Sequence, residues 1–206
     1  MSSSQWSLTL KLVASPGVLS PLLANLLALQ RAEEPETQVL LEEVAPENVL
    51  QGIGNGRYDL GITWTPLRVP ALRGQPLWHE ELGIAVPSRS PLLAHATIPL
   101  DVLRRYPLIQ ACLALDNELL RQLNCPTQHA SSFELMAVLV AAGYGVGVSL
   151  SSRISQAHNW GIVKRPLAGG PYSIRAQLLW PRSRKEPAID RFAERAAKIT
   201  AASRAT

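Results

Sequence analysis

The feature of this sequence that most restricts its fold is an alternation of strand and helix patterns over the first 64 residues. Strand patterns cover Leu8–Ala14, Gln38–Val44 and Tyr58–Trp64. Two helix patterns lie between them, opening at Ser20-Pro21 and at Pro46-Glu47. Proline suits the first helical position because the N–H that it lacks would have no partner there. Strands and helices in this order predict a parallel sheet with right-handed crossovers.

The rest of the chain repeats this α/β alternation without repeating the sequence. Pro87–Pro91 (PSRSP) is a predicted passage between two lobes, and Ser131-Ser132-Phe133-Glu134 matches a capping box that opens an apolar helix. Further strands are predicted at Leu82–Val86, Pro107–Ala111, Val146–Leu150 and Arg175–Trp180, and the last helix at Pro187–Ile199. We therefore expect two halves of α/β type.

Composition excludes several classes of protein. Apolar residues make up 47% of the chain, which is enough for a core, and two cysteines are too few for a disulfide scaffold. The net charge of +4 comes from residues 182–206, where seven Lys/Arg face three Asp/Glu, so it does not indicate a nucleic-acid surface. The chain opens without a signal-peptide pattern, and its longest uncharged run, Leu135–Ser152, contains three glycines. We expect a cytoplasmic protein without a membrane partner.

The sequence shows no motif typical of catalysis, a cofactor or a metal. A nucleophile elbow, a phosphate-binding loop and a dinucleotide fingerprint are all missing. Gly143-Tyr144-Gly145-Val146-Gly147 joins a helix to a strand, whereas a dinucleotide loop joins a strand to a helix. The four histidines lack the spacing of metal ligands. The prediction is a protein that is not an enzyme and has no cofactor or metal.

Several strand-to-helix junctions are candidates for ligand binding, because ligands of open α/β sheets bind beyond the carboxyl ends of the strands. Free N–H groups and helix dipoles meet at such ends. The junctions with this pattern are Ser15-Pro16-Gly17, Ala45-Pro46-Glu47, Gln110-Ala111-Cys112 and Ser131-Ser132-Phe133. Together they predict a ligand site.

Four segments of the chain resemble the effector-binding domain of LysR-type transcriptional regulators. Residues 8–44 look like its opening strand, helix and second strand, and VLQGIGNGRYDLGI looks like its L-x-x-G-x-x-D-L-x-I signature. ELGIAVPSRSPLLA is similar to its lobe-crossing strand, and LVAAGYGVGVSLSS to its V-A-A-G-x-G segment. The resemblance runs from about Leu8 to the last helix.

The resemblance implies an α/β fold of two Rossmann-like lobes, as in type II periplasmic binding proteins, with a ligand cleft between the lobes. Lobe I would hold residues 6–80 and 182–206, and lobe II residues 81–181. The family's N-terminal winged helix-turn-helix domain has no counterpart here, which favours a piece of a longer regulator over a stand-alone sensor.

Residue by residue, the resemblance places effector contacts at the ends of the strands. Ser15 fits the family's Ser or Thr after the first strand, and Pro16 and Gly17 follow it. Pro46 stands where a hydroxyl residue usually opens the second helix, which puts a carboxylate clamp there in doubt. Trp64 is either an apolar wall of the site or part of the core. The expected contacts in lobe II are Gln110, Ala111, Cys112, Ser131 and Ser132.

The resemblance also implies partners. A small, anionic or polar effector would bind between the lobes and control transcription through rearrangement of the oligomer. We expect a homodimer, tetrameric in the full-length protein, that pairs the Leu22–Leu29 helix with the Phe133–Ala142 helix. DNA would be contacted only through the N-terminal domain.

Three alternatives remain open from the sequence, and one of them, an unrecognised enzyme, is weak because no set of acid, base and nucleophile residues appears. A thiol redox sensor on the same fold would use Cys112 and Cys125, although their spacing is wider than that in the family's peroxide sensors. A solute-binding protein of a transporter would need a signal peptide, which this sequence lacks.

Overall fold

The computed structural model describes residues 8–64, 69–111 and 123–203 of the chain. The chain forms two compact units. Unit 1 contains the chain up to Trp78 and again from Arg175, and unit 2 contains His79–Ile174. The chain passes between the units at 78/79 and 174/175. The assignment of lobes with boundaries at 80/81 and 181/182 stays a prediction.

Unit 1 is built on the strand–helix alternation predicted for the first 64 residues. Its strands lie in the order β2-β1-β3-β9-β4, with β1 parallel to both β2 and β3, and β9 antiparallel to β3. The elements of this unit are β1 (Leu8–Ala14), α1 (Pro21–Glu33), β2 (Thr37–Glu43), α2 (Pro46–Gly54), β3 (Leu60–Thr63), the first part of β4 (Leu72–Pro87), most of β9 (Ser173–Pro181) and the C-terminal helix α6 (Pro187–Ser203).

Unit 2 has a second sheet with strands in the order β4-β7-β5-β6, and β8 pairs with β4. β5 is parallel to β6 and β7, whereas β4 is antiparallel to β7 and β8. The elements are the second part of β4, α3 (Leu100–Leu103), β5 (Leu108–Ala111), β6 (Thr127–Ala130), α4 (Phe133–Ala141), β7 (Val146–Leu150), α5 (Ser151–Gln156) and β8 (Ile162–Arg165).

Each unit has its own apolar core. The core of unit 1 includes a cluster of Val13, Val49, Ile53, Tyr58, Leu72 and Leu179. That of unit 2 includes Ile109, Phe133, Met136, Val140, Ile154 and Ile162. Aliphatic side chains supply most of both clusters, as the 5% aromatic content requires. Burial of this apolar surface is the main stabilising contribution to each unit.

Three strands differ from the sequence-based expectation. β4 begins ten residues before the predicted Leu82, since Leu72–Glu81 also pairs in spite of Pro76. Pro76 is exposed, where a missing N–H costs little. β6 and β8 were not predicted, because four-residue strands such as TQHA carry too little apolar alternation to be distinguished from loops. The sequence also predicts a weak helix at 117–123, a range that lies almost wholly outside the described residues.

Among the helices of the described ranges, none combines the length and the apolar character that a membrane crossing requires.

Candidate functional site

The predicted site residues of unit 1 lie at one edge of its sheet. Ala14, the last residue of β1, is in register with Glu43 of β2 and Ile62 of β3. The junctions that follow these three parallel strands therefore lie side by side, and they contain Ser15, Pro16, Gly17, Pro46 and Trp64. The structure thus gathers the five residues at the carboxyl edge of the sheet, where open α/β sheets bind ligands.

Ser15 is fixed by its backbone while its side chain is left unpaired. Its N–H donates to the Ile62 carbonyl at 2.9 Å, and its own carbonyl accepts from the Val18 N–H at 3.2 Å. Gly17 closes this turn with φ = +84°, a value that glycine adopts without strain. Ser15 is 1% exposed, and its Oγ has no hydrogen-bond partner among the described residues. A buried hydroxyl without a partner is a group that a ligand can satisfy.

Trp64 follows β3 at the same edge. It is 6% exposed, and its indole Nε1 lacks a hydrogen-bond partner within the described part of the chain. The sequence left two roles open for this residue, an apolar wall and core packing. Its burial fits both roles.

The start of α2 is poorly suited to bind an anion. Its N-cap residue, Ala45, offers no side-chain cap, and Pro46 has no N–H. The N–H groups of Asn48 and Val49 both donate to the Ala45 carbonyl, at 2.9 and 3.2 Å. The exposed Glu47 adds a negative charge to this first turn. The Glu47 carboxylate already interacts favourably with the positive end of the α2 dipole, and it would repel the carboxylate of a ligand.

The predicted residues of unit 2 also lie at a carboxyl edge. Ala111 of β5 is in register with Ala130 of β6, and Gln110 with Val148 of β7. Gln110 and Ala111 are both 3% exposed. The predicted residues Ser131 and Ser132 follow β6 at this edge, whereas Cys112 lies outside the described residues.

Ser132, not Ser131, is the N-cap residue of α4. The predicted capping box gave the cap to Ser131, with Glu134 three residues later. The structure places the extended N-cap backbone at Ser132, whose Oγ accepts from the Leu135 N–H at 3.0 Å. The prediction was wrong by one residue because both serines suit an N-cap and the backbone is still extended at Ser132. Ser131 is exposed and has its own interactions.

The glycine-rich segment after α4 serves backbone packing. Gly143 has φ = +84°, typical of the residue that ends a helix. A Cβ on Gly145 would lie 2.4 Å from the Pro107 carbonyl oxygen, and one on Gly147 would lie 2.8 Å from the Met136 Sδ. These contacts explain the glycines without a nucleotide.

Unit 2 also contains a pocket that the sequence did not indicate. Its volume is about 470 Å³, and the polar side chains that line it belong to Glu81, Thr97, Ser151, Lys164 and Tyr172. The segment 166–172 forms one wall of the pocket, and its glycines and prolines match no motif that indicates a binding site.

Glu80, beside this pocket in the chain, is a second group that the sequence missed. It accepts a hydrogen bond from Ser152 Oγ at 3.1 Å. Burial raises the pKa of the Glu80 carboxyl, and the hydroxyl of Ser152 opposes that shift. No pattern in the sequence indicated that this carboxylate would be partly buried.

Of the two cysteines, the structure describes Cys125. Burial raises the pKa of the half-buried Cys125 thiol, which reduces the reactive thiolate at neutral pH. Because Cys112 lies outside the described residues, the redox alternative stays a prediction. Among the described residues, no group of three or more His, Cys, Asp and Glu side chains is arranged to hold a metal ion.

Comparison with curated proteins finds a regulator. The chain is 26% identical over 200 residues to the Hca operon transcriptional activator HcaR of Escherichia coli (strain K12). The match covers 87% of this chain and 65% of HcaR, so the chain spans about two-thirds of that relative's length.

Comparison with solved structures establishes the fold. The effector-binding domain of BenM with its effector benzoate has a TM-score of 0.82 at 19% identity, over 97% of this chain and 95% of that one. The effector-binding domain of QuiR in complex with shikimate has a TM-score of 0.81 at 16% identity, over 94% and 97%. The expected fold, a type II periplasmic-binding-protein-like α/β architecture, is confirmed.

A match to a protein family covers almost the whole sequence. The LysR substrate binding domain matches residues 3–199. The two α/β units, the glycine segment after α4 and the similarity to HcaR all agree with this match. The chain therefore belongs to the LysR substrate-binding-domain family, the effector-binding part of LysR-type transcriptional regulators.

Proposed function

We propose that this chain senses a small polar or anionic metabolite at the carboxyl edges of its parallel strands and thereby controls transcription. The observation that carries the proposal is the Ser15 hydroxyl, which is buried and unpaired at the edge where such sheets bind ligands. Contact of one molecule with both units, through Gln110, Ser131 and Ser132 in unit 2, remains a sequence-based prediction. The protein is not an enzyme in this proposal.

Relatives support a small organic ligand. The BenM structure holds benzoate and the QuiR structure holds shikimate, both of which are ring compounds with a carboxylate. The unpaired Ser15 hydroxyl here suits a metabolite that bears an oxygen.

The proposed mechanism is a shift between two conformations. A metabolite changes their populations only by as much as its affinity for them differs. In the whole regulator the shift would pass through a dimer, or a tetramer of the full-length protein, to a DNA-binding domain. The dimer is supported by apolar side chains that face solvent, namely Leu135 and Val138 on α4 and Leu40 and Leu41 on β2.

A thermal-shift screen tests the proposal. The panel contains aromatic acids, amino acids, sugar acids and inorganic anions. We expect one class to raise the melting temperature saturably, since a ligand at a hundredfold excess over its Kd stabilises the folded state by about 2.7 kcal/mol.

The control separates the proposed edge from other surfaces. Ser15→Ala removes the buried hydroxyl and is expected to reduce the shift, whereas Ser88→Ala changes an exposed serine of unit 2 and is expected to leave it unchanged. Absence of any saturable shift, or equal shifts in both variants, would contradict a ligand site at Ser15.

A further inference from the structure

We propose that the pocket of unit 2 is a second ligand site, separate from the predicted effector residues, that binds a zwitterionic metabolite of the amino-acid class. In this site Lys164 pairs with the carboxylate of the ligand, and Glu81 pairs with its ammonium group. The inference goes beyond the proposed function because it concerns a different cavity, which can bind its ligand whether or not the effector residues bind theirs.

The pocket and the predicted effector residues lie on different strands of unit 2. β8 pairs with β4, and the sheet continues through β7 to β5 and β6. Lys164 of β8 and Glu81 of β4 line the pocket, whereas Gln110 belongs to β5, and Ser131 and Ser132 follow β6. None of the predicted effector residues that the structure describes lines this pocket. The cavity is therefore a separate site.

Lys164 and Glu81 lie on one face of the sheet. Lys164 is opposite Ala85 in the antiparallel pair of β4 and β8, and directly opposed residues share a face. Glu81, Gly83 and Ala85 share that face because side chains alternate along a strand. A Cβ on Gly83 would lie 3.5 Å from Lys164 Cγ and 3.4 Å from Ser151 Cα. The stem of Lys164 therefore leans along β4 from Ala85 toward Glu81.

These two opposite charges line the same cavity without pairing with each other. Both side chains are exposed, and neither has an ion-pair partner within the described part of the chain. The carboxylate next to them, Glu80, is already engaged, since it accepts from Ser152 Oγ at 3.1 Å. Glu81 and Gly83 are separated by about 6.8 Å of strand, so a small molecule has room to lie between the charges.

A ligand that carries both charges fits this arrangement better than a simple ion. Its carboxylate accepts charge-assisted hydrogen bonds from Lys164, and its ammonium group donates them to Glu81. An anion or a cation alone would be attracted by one of these side chains and repelled by the other. Thr97 and Ser151 add hydroxyl groups to the lining, which can bind the rest of a polar ligand.

Backbone hydrogen bonds hold the wall of the pocket in place. The Ile98 N–H donates to the Pro166 carbonyl, and the Ala168 N–H donates to the Ile98 carbonyl, both at 2.9 Å. At the other end of the wall, the Leu82 N–H donates to the Tyr172 carbonyl at 2.8 Å. The cavity is thus preformed, and its volume of about 470 Å³ is typical of small-molecule sites.

The test is an NMR titration of the ¹⁵N-labelled chain with each of the common amino acids. We expect at least one of them to shift the backbone amide resonances of Thr97, Ser151 and Gly169 saturably. Two matched analogues of that amino acid, one without the ammonium group and one without the carboxylate, are expected to bind at least tenfold more weakly. For leucine these analogues are 4-methylpentanoate and 3-methylbutylamine.

Variants assign the two charges to their roles. Lys164→Met keeps the stem but removes the charge and is expected to weaken binding at least tenfold, whereas Lys164→Arg keeps the charge and most of the affinity. Glu81→Gln is expected to weaken binding at least fivefold. Lys185→Met and Glu36→Gln change exposed charges of unit 1 and are the controls, with an expected change of less than twofold. The melting temperature of each variant verifies that it folds.

The outcomes separate this pocket from the proposed effector site. The pocket proposal is overturned if no amino acid shifts these amides, if an analogue binds as tightly as its parent, or if Lys185→Met and Lys164→Met weaken binding equally. Shifts confined to the amides of Gln110 and Ser131 would also overturn it, because the amino acid would then bind at the predicted effector residues and support the sensing function instead.

Discussion

At the scale of single residues, a buried carboxylate joins the first and last helices of unit 1. Glu34 follows α1 and accepts from Arg195 Nη2 of α6 at 2.8 Å, as well as from Arg191 Nε. Gln30 and Thr37 donate to its other oxygen, at 3.3 and 3.2 Å. These hydrogen bonds, with that from Arg191 the strongest cause, lower the pKa of Glu34 to about 2 against the opposing effect of burial.

We predict that Glu34→Gln destabilises the protein by about 2 kcal/mol at pH 7, because it removes one of the two carboxylates that pair with the buried Arg195, Glu33 being the other. The folded pKa is lower than the unfolded one, so the contribution of Glu34 is complete above the ordinary carboxyl pKa of 4.5 and is lost as the pH falls toward 2. Urea unfolding of both proteins between pH 7 and pH 3 measures this difference.

Glu36→Gln is the control for this change, since Glu36 is an exposed carboxylate two residues away. We expect it to alter the free energy of unfolding by less than about 0.5 kcal/mol. Equal losses in the two variants, or a difference that grows at low pH, would contradict the assignment of Glu34 as a buried ionised group.

At the scale of elements, the helix starts of α2 and α4 serve the structure of their own helices. Ser132 uses its hydroxyl to cap α4, so it is less available to a ligand than the resemblance implied. Ser15, which precedes no helix directly, keeps its hydroxyl unpaired. α2 begins with Pro46 and Glu47, and the N–H groups of Asn48 and Val49 in its first turn already donate to the Ala45 carbonyl. In the proposed function, effector binding at this sheet edge would therefore use strand ends more than helix ends.

We predict that Ser132→Ala lowers the free energy of unfolding by about 1 kcal/mol, the typical cost of losing an N-cap. Ser132→Asp is expected to restore most of this stability, because aspartate caps equally well and its charge suits the helix dipole. Denaturant unfolding measures both variants. An unchanged Ser132→Ala protein would show that the hydrogen bond to the Leu135 N–H does not hold the helix start.

At the scale of the whole molecule, α4 presents apolar side chains on two sides. Phe133, Met136 and Val140 face the core of unit 2, whereas Leu135 is 42% and Val138 52% exposed. Of the leucines in α1, only Leu23 and Leu26 are buried. The predicted pairing of these two helices in a homodimer stays a prediction, and the outward side of α4 is a suitable surface for it.

We predict that the chain is a dimer at tens of micromolar and that Val138→Glu weakens the dimer at least tenfold, which corresponds to about 1.4 kcal/mol. A charge buried against apolar side chains costs more than the valine contributes. Val69→Glu, at an exposed valine of unit 1, is the control and is expected to leave the dimer intact. Sedimentation that shows only monomer, or equal weakening by both variants, would contradict this surface.

The sequence by itself determined the order of strands and helices around Ser15, Pro46 and Trp64, because prolines, glycines and apolar periodicity act over a few residues. It also placed Gln110, Ser131 and Ser132 at strand ends. Only the tertiary structure decided that Ser132 caps α4, that Trp64 keeps an unpaired N–H, and that Glu34 meets Arg195, 161 residues later. Burial and hydrogen-bond partners depend on which distant segments pack together, and no local pattern specifies that packing.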